Sequence, residues 1–295
     1  MRDIDEFTIT QAVIAANHAG NARLVTIMES LVRHLHAFAR EISLTEEEWF
    51  QGIRFLTETG HMCDDKRQEF ILLSDTLGLS TLVTAQNNRK PEGCTEATVF
   101  GPFYVEDAPE VDNGCDIANG AHGIPCFVSG CVRGLDGNVV AGAKLDVWQS
   151  DDEGYYDVQR TDLTCHQGRA RLRTDAEGRF RFRSILAVPY PIPHDGPVGR
   201  MLEALGRHPW RPAHLHFKIE APGYERLITH IFRNGDDFLD SDAVFGVRST
   251  LISDWTSQQP GVAPDGTSMA EPYYTLHHDF VLSPNPALAT KGDDQ

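Results

Sequence analysis

Trp210-Arg211-Pro212-Ala213-His214-Leu215-His216-Phe217-Lys218-Ile219 alternates its side chains after Pro212. His214, His216 and Lys218 fall on one face of a strand, and Leu215, Phe217 and Ile219 on the other. The stretch therefore reads as a strand. Two imidazoles at that spacing point the same way a few ångströms apart, so one metal ion can meet both. The competing reading is a polar strand face with two incidental histidines, since His-x-His alone is a short pattern.

Working outward, further β-type runs lie on both sides. Residues 126–132, 143–148 and 179–183 precede the histidine strand, and residues 227–232 and 279–282 follow it. Arg179-Phe180-Arg181-Phe182-Arg183 alternates cleanly, and Asp136-Gly137 between two runs is a hairpin signal. Such spacing with long irregular connections indicates a β-sandwich. One helix-length element, residues 198–206 with Met201, Leu202 and Leu205, interrupts the β half just before the histidines.

Upstream the periodicity is helical. Over residues 9–42, Leu24, Ile27, Met28, Leu31, Leu35, Phe38 and Ile42 repeat at steps of three and four. His34 and His36, two residues apart on a helix, share no face and read as surface or packing residues. A second helix starts at Thr45, where Glu48 completes a capping box, and Gly60 breaks it; its apolar side is Trp49, Ile53 and Leu56. A third helical region runs from Asp64 towards Leu82 through Phe70, Leu73, Leu77 and Leu79. The turn-rich residues 87–93 end it. The expected class is α+β: a helical domain over residues 1–95, then a mostly antiparallel β-sandwich over residues 96–295 that carries the chemistry.

Composition excludes several functions. No apolar run is long enough for a membrane span, and the acidic N-terminus lacks the apolar core of a signal peptide. A formal charge of −17 argues against nucleic acid or anionic lipid headgroups as electrostatic partners. The six cysteines are scattered without a Cys-x-x-Cys pair, which fits free thiols in a reducing compartment, the cytoplasm.

Two tyrosines stand in unusual settings. Tyr156 ends the acidic loop Trp148-Gln149-Ser150-Asp151-Asp152-Glu153-Gly154-Tyr155-Tyr156, and Tyr190 sits in the proline-stiffened Val188-Pro189-Tyr190-Pro191-Ile192-Pro193. A tyrosine held so rigidly is either a packing anchor or a positioned ligand. Two imidazoles with two phenolates make a hard N/O donor set that suits ferric iron better than zinc or calcium. No His-x-Asp or His-x-Glu accompanies the strand, which weakens a ferrous facial-triad reading.

The ordered set of Thr98-Val99-Phe100-Gly101-Pro102-Phe103-Tyr104, residues 148–156, Tyr190-Pro191-Ile192-Pro193-His194-Asp195-Gly196-Pro197, residues 206–217 and Ala221-Pro222-Gly223-Tyr224 resembles the intradiol ring-cleaving dioxygenases over nearly the whole chain. Residues 190–199, 207–217 and 227–232 most resemble the branch acting on hydroxyquinol. His230 departs from the plain catechol branch, which typically carries glutamine there.

This resemblance implies a ferric centre held by Tyr156, Tyr190, His214 and His216. Tyr190 is the tyrosinate that leaves the metal when substrate arrives, and it acts on the substrate's proton. Arg211 faces the substrate ring and stabilises its negative charge. Leu77, Val99, Phe100, Gly101, Pro102, Phe103, Ile192, Pro193 and Val244 surround the ring, although ordinary core packing would give the same composition. Ser80 is a candidate contact to a third ring hydroxyl, with a helix-surface serine as the alternative. His230 reads as a neighbour of the ligands or as a plain sandwich residue, and His166, His277 and His278 show no partner pattern.

The implied reaction is O₂-dependent cleavage of hydroxyquinol between its two adjacent hydroxylated carbons, giving 3-hydroxy-cis,cis-muconate, the enol of maleylacetate. A catechol or chlorocatechol enzyme with the same iron site is the near alternative. A zinc hydrolase using His214 and His216, and a metal-free β-sandwich binding module that would be colourless, are the remote ones. The resemblance also implies a homodimer joined through the N-terminal helices, often with phospholipid tails between them.

Overall fold

The computed structural model describes residues 3–17, 20–64 and 67–285, and the chain divides into two compact units, 1–61 and 62–295.

The first unit contains α1 (Ile9–Ala15), α2 (Ala22–Glu41) and α3 (Glu46–His61). The periodic stretch read as continuous from residue 9 to 42 is in fact two helices. Asn21, in extended conformation, caps α2 by accepting the Leu24 N–H. The capping box at Thr45 forms as expected, with the Glu48 carboxylate accepting the Thr45 N–H at 2.9 Å and Thr45 Oγ1 accepting the Glu48 N–H at 3.2 Å. Arg40 donates to the Glu6 carbonyl and the Thr10 hydroxyl, and Thr10 Oγ1 lies 2.9 Å from His36 Nδ1. His36 is thus a packing residue that ties α1 to α2. The apolar stripe of α2, from Leu24 to Phe38, is exposed.

The second unit opens with α4 (Glu69–Thr76) and α5 (Leu79–Asn87). The single helical region expected here breaks at Gly78, whose φ of +73° ends one helix and starts the next. The strands follow: β1 (Pro125–Gly134), β2 (Lys144–Trp148), β3 (Arg169–Arg173), β4 (Arg179–Ile185) and β5 (Tyr190–Pro191). After α6 (Pro197–Ala204) come β6 (Trp210–Arg211), β7 (His214–Glu220), β8 (Leu227–Arg233) and β9 (Ile252–Ser253). The last are β10 (Trp255–Gln258), β11 (Gly261–Val262), β12 (Ser268–Met269), β13 (Tyr273–His277) and β14 (Phe280–Leu282).

One five-stranded sheet runs β3-β2-β7-β8-β9. The other runs β10-β13-β1-β14, with β4 paired along β1. Between the named strands, among the described residues, β1 with β13, β1 with β14 and β8 with β9 pair in parallel; the other ladders are antiparallel, as expected. Between the sheets lies the main core. Phe217 of β7 meets Phe180 of β4 at 5.9 Å and Phe280 of β14 at 4.7 Å between ring centroids. Each such fully buried side chain contributes about 1.5–3 kcal/mol.

The other face of β7 is buried as well, with His214, His216 and Lys218 all covered. Lys218 is satisfied by Tyr104 Oη at 3.0 Å and by Asp146 at 3.6 Å. What covers the histidines is the functional site.

Candidate metal centre

Register brings the candidate ligands together. β7 pairs with β2 so that Trp148 stands beside His216, and the indole stacks on the imidazole at 4.6 Å and 15°. The short β5–β6 ribbon sets Tyr190 across from Arg211. Tyr156 caps a single turn of 3₁₀ helix at Asp157–Gln159, where its N–H donates to Gln159 Oε1 at 2.8 Å. Two glycines make room for this packing. A Cβ on Gly154 (φ +87°) would lie 2.6 Å from Tyr190 Cβ, and one on Gly101 (φ +78°) would lie 3.2 Å from His216 Cε1.

Four donor atoms converge. Tyr156 Oη lies 2.7 Å from His216 Nε2 and 3.0 Å from Tyr190 Oη; Tyr190 Oη lies 3.3 Å from His214 Nε2; the two Nε2 atoms are 3.1 Å apart. His214 Nδ1 donates to the Pro212 carbonyl at 2.7 Å, which leaves the Nε2 lone pair facing the cluster. His216 Nδ1 has no hydrogen-bond partner among the described residues.

Burial dominates the protonation of this set. It pushes the Tyr156 phenol well above its ordinary range, with the nearby Tyr190 adding to the effect. Burial also raises Tyr190, against the opposing pull of Arg211. His214 is lowered to about 3 by burial and then by Arg211, and burial followed by His230 and His214 holds His216 far below the imidazole range. Left to themselves, the imidazoles stay neutral and the phenols keep their protons. Neutral imidazole is the metal-binding form, while a phenol ionises here only if a strong Lewis acid displaces its proton. Four lone-pair atoms this close fit a metal ion.

His230 stands opposite His216 on β8, and the ring nitrogens of His214, His216 and His230 approach within 4.8 Å of one another. His230 Nδ1 lies 3.5 Å from Arg211 Nη2. It is thus a buried neighbour of the two candidate ligand histidines. His166 instead bonds Asp157, next to Tyr156, at 2.9 Å, and His278 bonds Ser253. Arg211 is buried against Asp242 and reaches His214 Nε2 with Nη1 at 3.2 Å.

A cavity of about 960 Å³ opens from this cluster. Tyr190 and Arg211 line it, whereas Tyr156 is fully enclosed behind them. Of the residues expected around a ring, Val99, Gly101, Pro102, Phe103, Ile192, Pro193 and Val244 also line it. Leu77 and Phe100 do not. Leu77 is exposed to solvent, and Phe100 packs on Tyr104 and on the edge of Trp148.

Leu72 and Asp75 are among the lining residues that the sequence pattern does not single out. They sit three apart on α4, on the same face as Glu69, and that face looks into the cavity. Choosing apolar positions picked out Leu73 and Leu77 instead; the available signal was a buried-side carboxylate at helical spacing from Leu72. Asp75 is buried, and burial raises its carboxyl despite the Ser80 hydroxyl and Arg211. Ser80 itself lies 2.9 Å from Ser74 Oγ and does not line the cavity.

With this geometry in hand, comparison with known proteins is specific. The Dioxygenase family profile matches residues 99–284, and the profile described as Catechol dioxygenase N terminus matches residues 21–95. The chain is 61% identical over 285 residues to a 6-chlorohydroxyquinol 1,2-dioxygenase of Cupriavidus pinatubonensis, covering 96% of this chain and 99% of that one. It is 51% identical over 263 residues to a hydroxyquinol 1,2-dioxygenase of Nocardioides simplex, covering 89% of each. The crystal structure of hydroxyquinol 1,2-dioxygenase from Pseudomonas putida DLL-E4 superposes with a TM-score of 0.89 at 48% identity, over 95% of this chain and 99% of that one.

Proposed function

The chain belongs to the intradiol ring-cleaving dioxygenases, and from that membership we propose that it cleaves hydroxyquinol, 1,2,4-trihydroxybenzene, with O₂ between the two adjacent hydroxylated carbons. The product is 3-hydroxy-cis,cis-muconate, which tautomerises to maleylacetate. The observation that carries this reading is the meeting of two phenol oxygens and two Nε2 atoms at 2.7–3.3 Å, at the head of a cavity that Arg211 also lines. Hydroxyquinol-cleaving relatives at high identity support the substrate.

Tyr156, Tyr190, His214 and His216 would hold the metal as Fe(III). In such a donor set ferric iron would supply Lewis acidity towards both oxygens of a 1,2-diol, favouring loss of their protons and drawing electron density from the ring so that it can meet dioxygen. The chain's residues do the rest. Tyr190 borders the cavity, so its Oη is the ligand oxygen placed to take a hydroxyl proton from the arriving diol. Tyr156, shut away from the cavity, stays in place. Arg211 presents a fixed positive charge to the ring, where negative charge builds. Val99, Phe103, Ile192 and Val244 give the ring an apolar slot that excludes water.

Asp75 is the group on the cavity wall suited to accept a hydrogen bond from a third ring hydroxyl. Asp75→Ala is expected to lower kcat/KM for hydroxyquinol by about 10- to 100-fold while changing that for catechol less than about threefold, the worth of one hydrogen bond to a charged acceptor. Equal losses on both substrates would remove Asp75 from substrate selection.

The test of the whole reading is the visible spectrum together with substrate preference. Purified protein should be red from tyrosinate-to-iron charge transfer, and the band should shift when hydroxyquinol is added without oxygen. Hydroxyquinol should exceed catechol at least about tenfold in kcat/KM. A colourless protein, or one with full zinc and esterase activity, sinks the reading; a preference for catechol overturns only the substrate. We further read the assembly as a cytoplasmic homodimer joined through the helical unit, with phospholipid tails at the joint. The exposed stripe of Leu24, Ile27, Leu31, Leu35 and Phe38 supports it, since a face of that width asks for a partner.

A further inference from the structure

We infer that Asp242 is a positioning residue that aims Arg211 at the reacting ring and fastens it to the cavity wall. This rests on the ring-cleaving reading above. The Asp242 carboxylate is 4% exposed and accepts Arg211 Nε at 3.1 Å and Nη2 at 3.3 Å. A guanidinium is a rigid planar fork, so holding those two nitrogens fixes the third. That third nitrogen, Nη1, is the one directed to the donor cluster, 3.2 Å from His214 Nε2.

The same carboxylate accepts the N–H of Val244 at 3.3 Å and of Gly246 at 2.9 Å. Val244 is a wall of the cavity, so one side chain sets both the cation and the slot beside it. Thr98 Oγ1 donates to the Gly246 carbonyl at 2.8 Å, tying the loop to the segment that enters the cavity as Val99. A Cβ on Gly246 would lie 3.1 Å from Arg211 Nη2 and 3.2 Å from Asp242 Oδ2, so the arginine has little room on that side. His230 Nδ1, 3.5 Å from Nη2, bounds it elsewhere. Burial works to raise the Asp242 carboxyl, yet Arg211 holds it below the usual carboxylate range, so the pair stays charged.

The experiment compares Asp242→Asn, Arg211→Met and the double variant as iron-loaded proteins. Asp242→Asn should keep its iron content and visible band, and should bind hydroxyquinol anaerobically within about threefold of the parent. Its kcat should nevertheless fall by about 10- to 100-fold, the scale of a misplaced catalytic group. In the Arg211→Met background the same change should cost less than about threefold, because a residue acting through the arginine has nothing left to position. Equal losses in both backgrounds, loss of iron from Asp242→Asn, or a kcat within about twofold of the parent would each overturn the inference. If Asp242→Asn does not fold, Arg211→Met is compared with the double variant, in which no buried charge is left unpaired; matching kcat values support the inference and a further loss overturns it. Absence of iron and colour from the parent protein would instead fall on the proposed function.

Discussion

Phenylalanine in place of Tyr156 is expected to give a folded protein that binds ferric iron at least about 100-fold more weakly and has lost most of its visible band. The substitution removes one oxygen and leaves the ring. Stacking on Phe103 at 4.5 Å and the edge contact with Tyr190 at 5.6 Å both survive it. Since Tyr156 does not border the cavity, the loss cannot arise through substrate contact. Altering groups that merely orient ligands costs about 10- to 100-fold in metal affinity, so deleting an anionic ligand should cost more. In metal-free protein the cost is a lost partner for Tyr190 Oη and His216 Nε2. That is worth about 1–3 kcal/mol and a few degrees of melting temperature. Elemental analysis, the spectrum and a metal-free thermal melt separate the two effects. Unchanged iron and colour would remove Tyr156 from the ligand set.

Much of this site could be read from sequence because its parts obey local rules. Period-two alternation put His214 and His216 on the face opposite Leu215, Phe217 and Ile219, and pairing with β2 and β8 preserves that division. The prolines around Tyr190 predicted a rigid tyrosine, and the resulting two-residue ribbon with Trp210–Arg211 is what sets it beside the arginine.

What local rules could not supply was direction across the fold. The parallel pairing of β13 with β1 joins strands nearly 150 residues apart and has no local sequence signature. Leu77 satisfied an apolar periodicity yet faces solvent, because the cavity lies on the Glu69, Leu72 and Asp75 side of α4. Which side of a helix faces a cavity depends on what packs across from it, here α6 and the cluster holding Val244, against which Leu72 packs. Asp242 escaped for the same reason. Its partner is 31 residues away, and an aspartate in an acidic loop reads as a solvated charge until the fold buries it.

Methionine in place of Arg211 is expected to lower kcat by about 10²- to 10³-fold, or about 2.7–4 kcal/mol, while hydroxyquinol binding without oxygen changes far less. The asymmetry follows from when the charge is needed. A bound diol whose charge stays on its two oxygens gains little from a guanidinium facing the ring, whereas a ring carrying developing negative charge in a buried site gains the full effect of a fixed cation. Methionine keeps the apolar stem and removes the fork. The substitution also strands Asp242, and breaking one side of a buried ion pair costs about 3–5 kcal/mol of stability. The two losses come apart in the Arg211→Met/Asp242→Asn double variant, which should regain much of the melting temperature and none of the kcat. The pH dependence carries a sign as well. In the parent, Arg211 holds Asp242 below the ordinary carboxylate range, so the pair's stability is present above that range and is lost as pH falls through the lowered value. Without Arg211 the two strongest influences that lower Asp242 are gone, and burial, opposed by the Gly246 N–H, raises it, so the single variant should lose stability as pH rises above the carboxylate range. Melting curves taken from below the ordinary carboxylate range up to neutral pH check the reversal. A kcat within tenfold of the parent would show that the arginine only fills space beside the ligand strand.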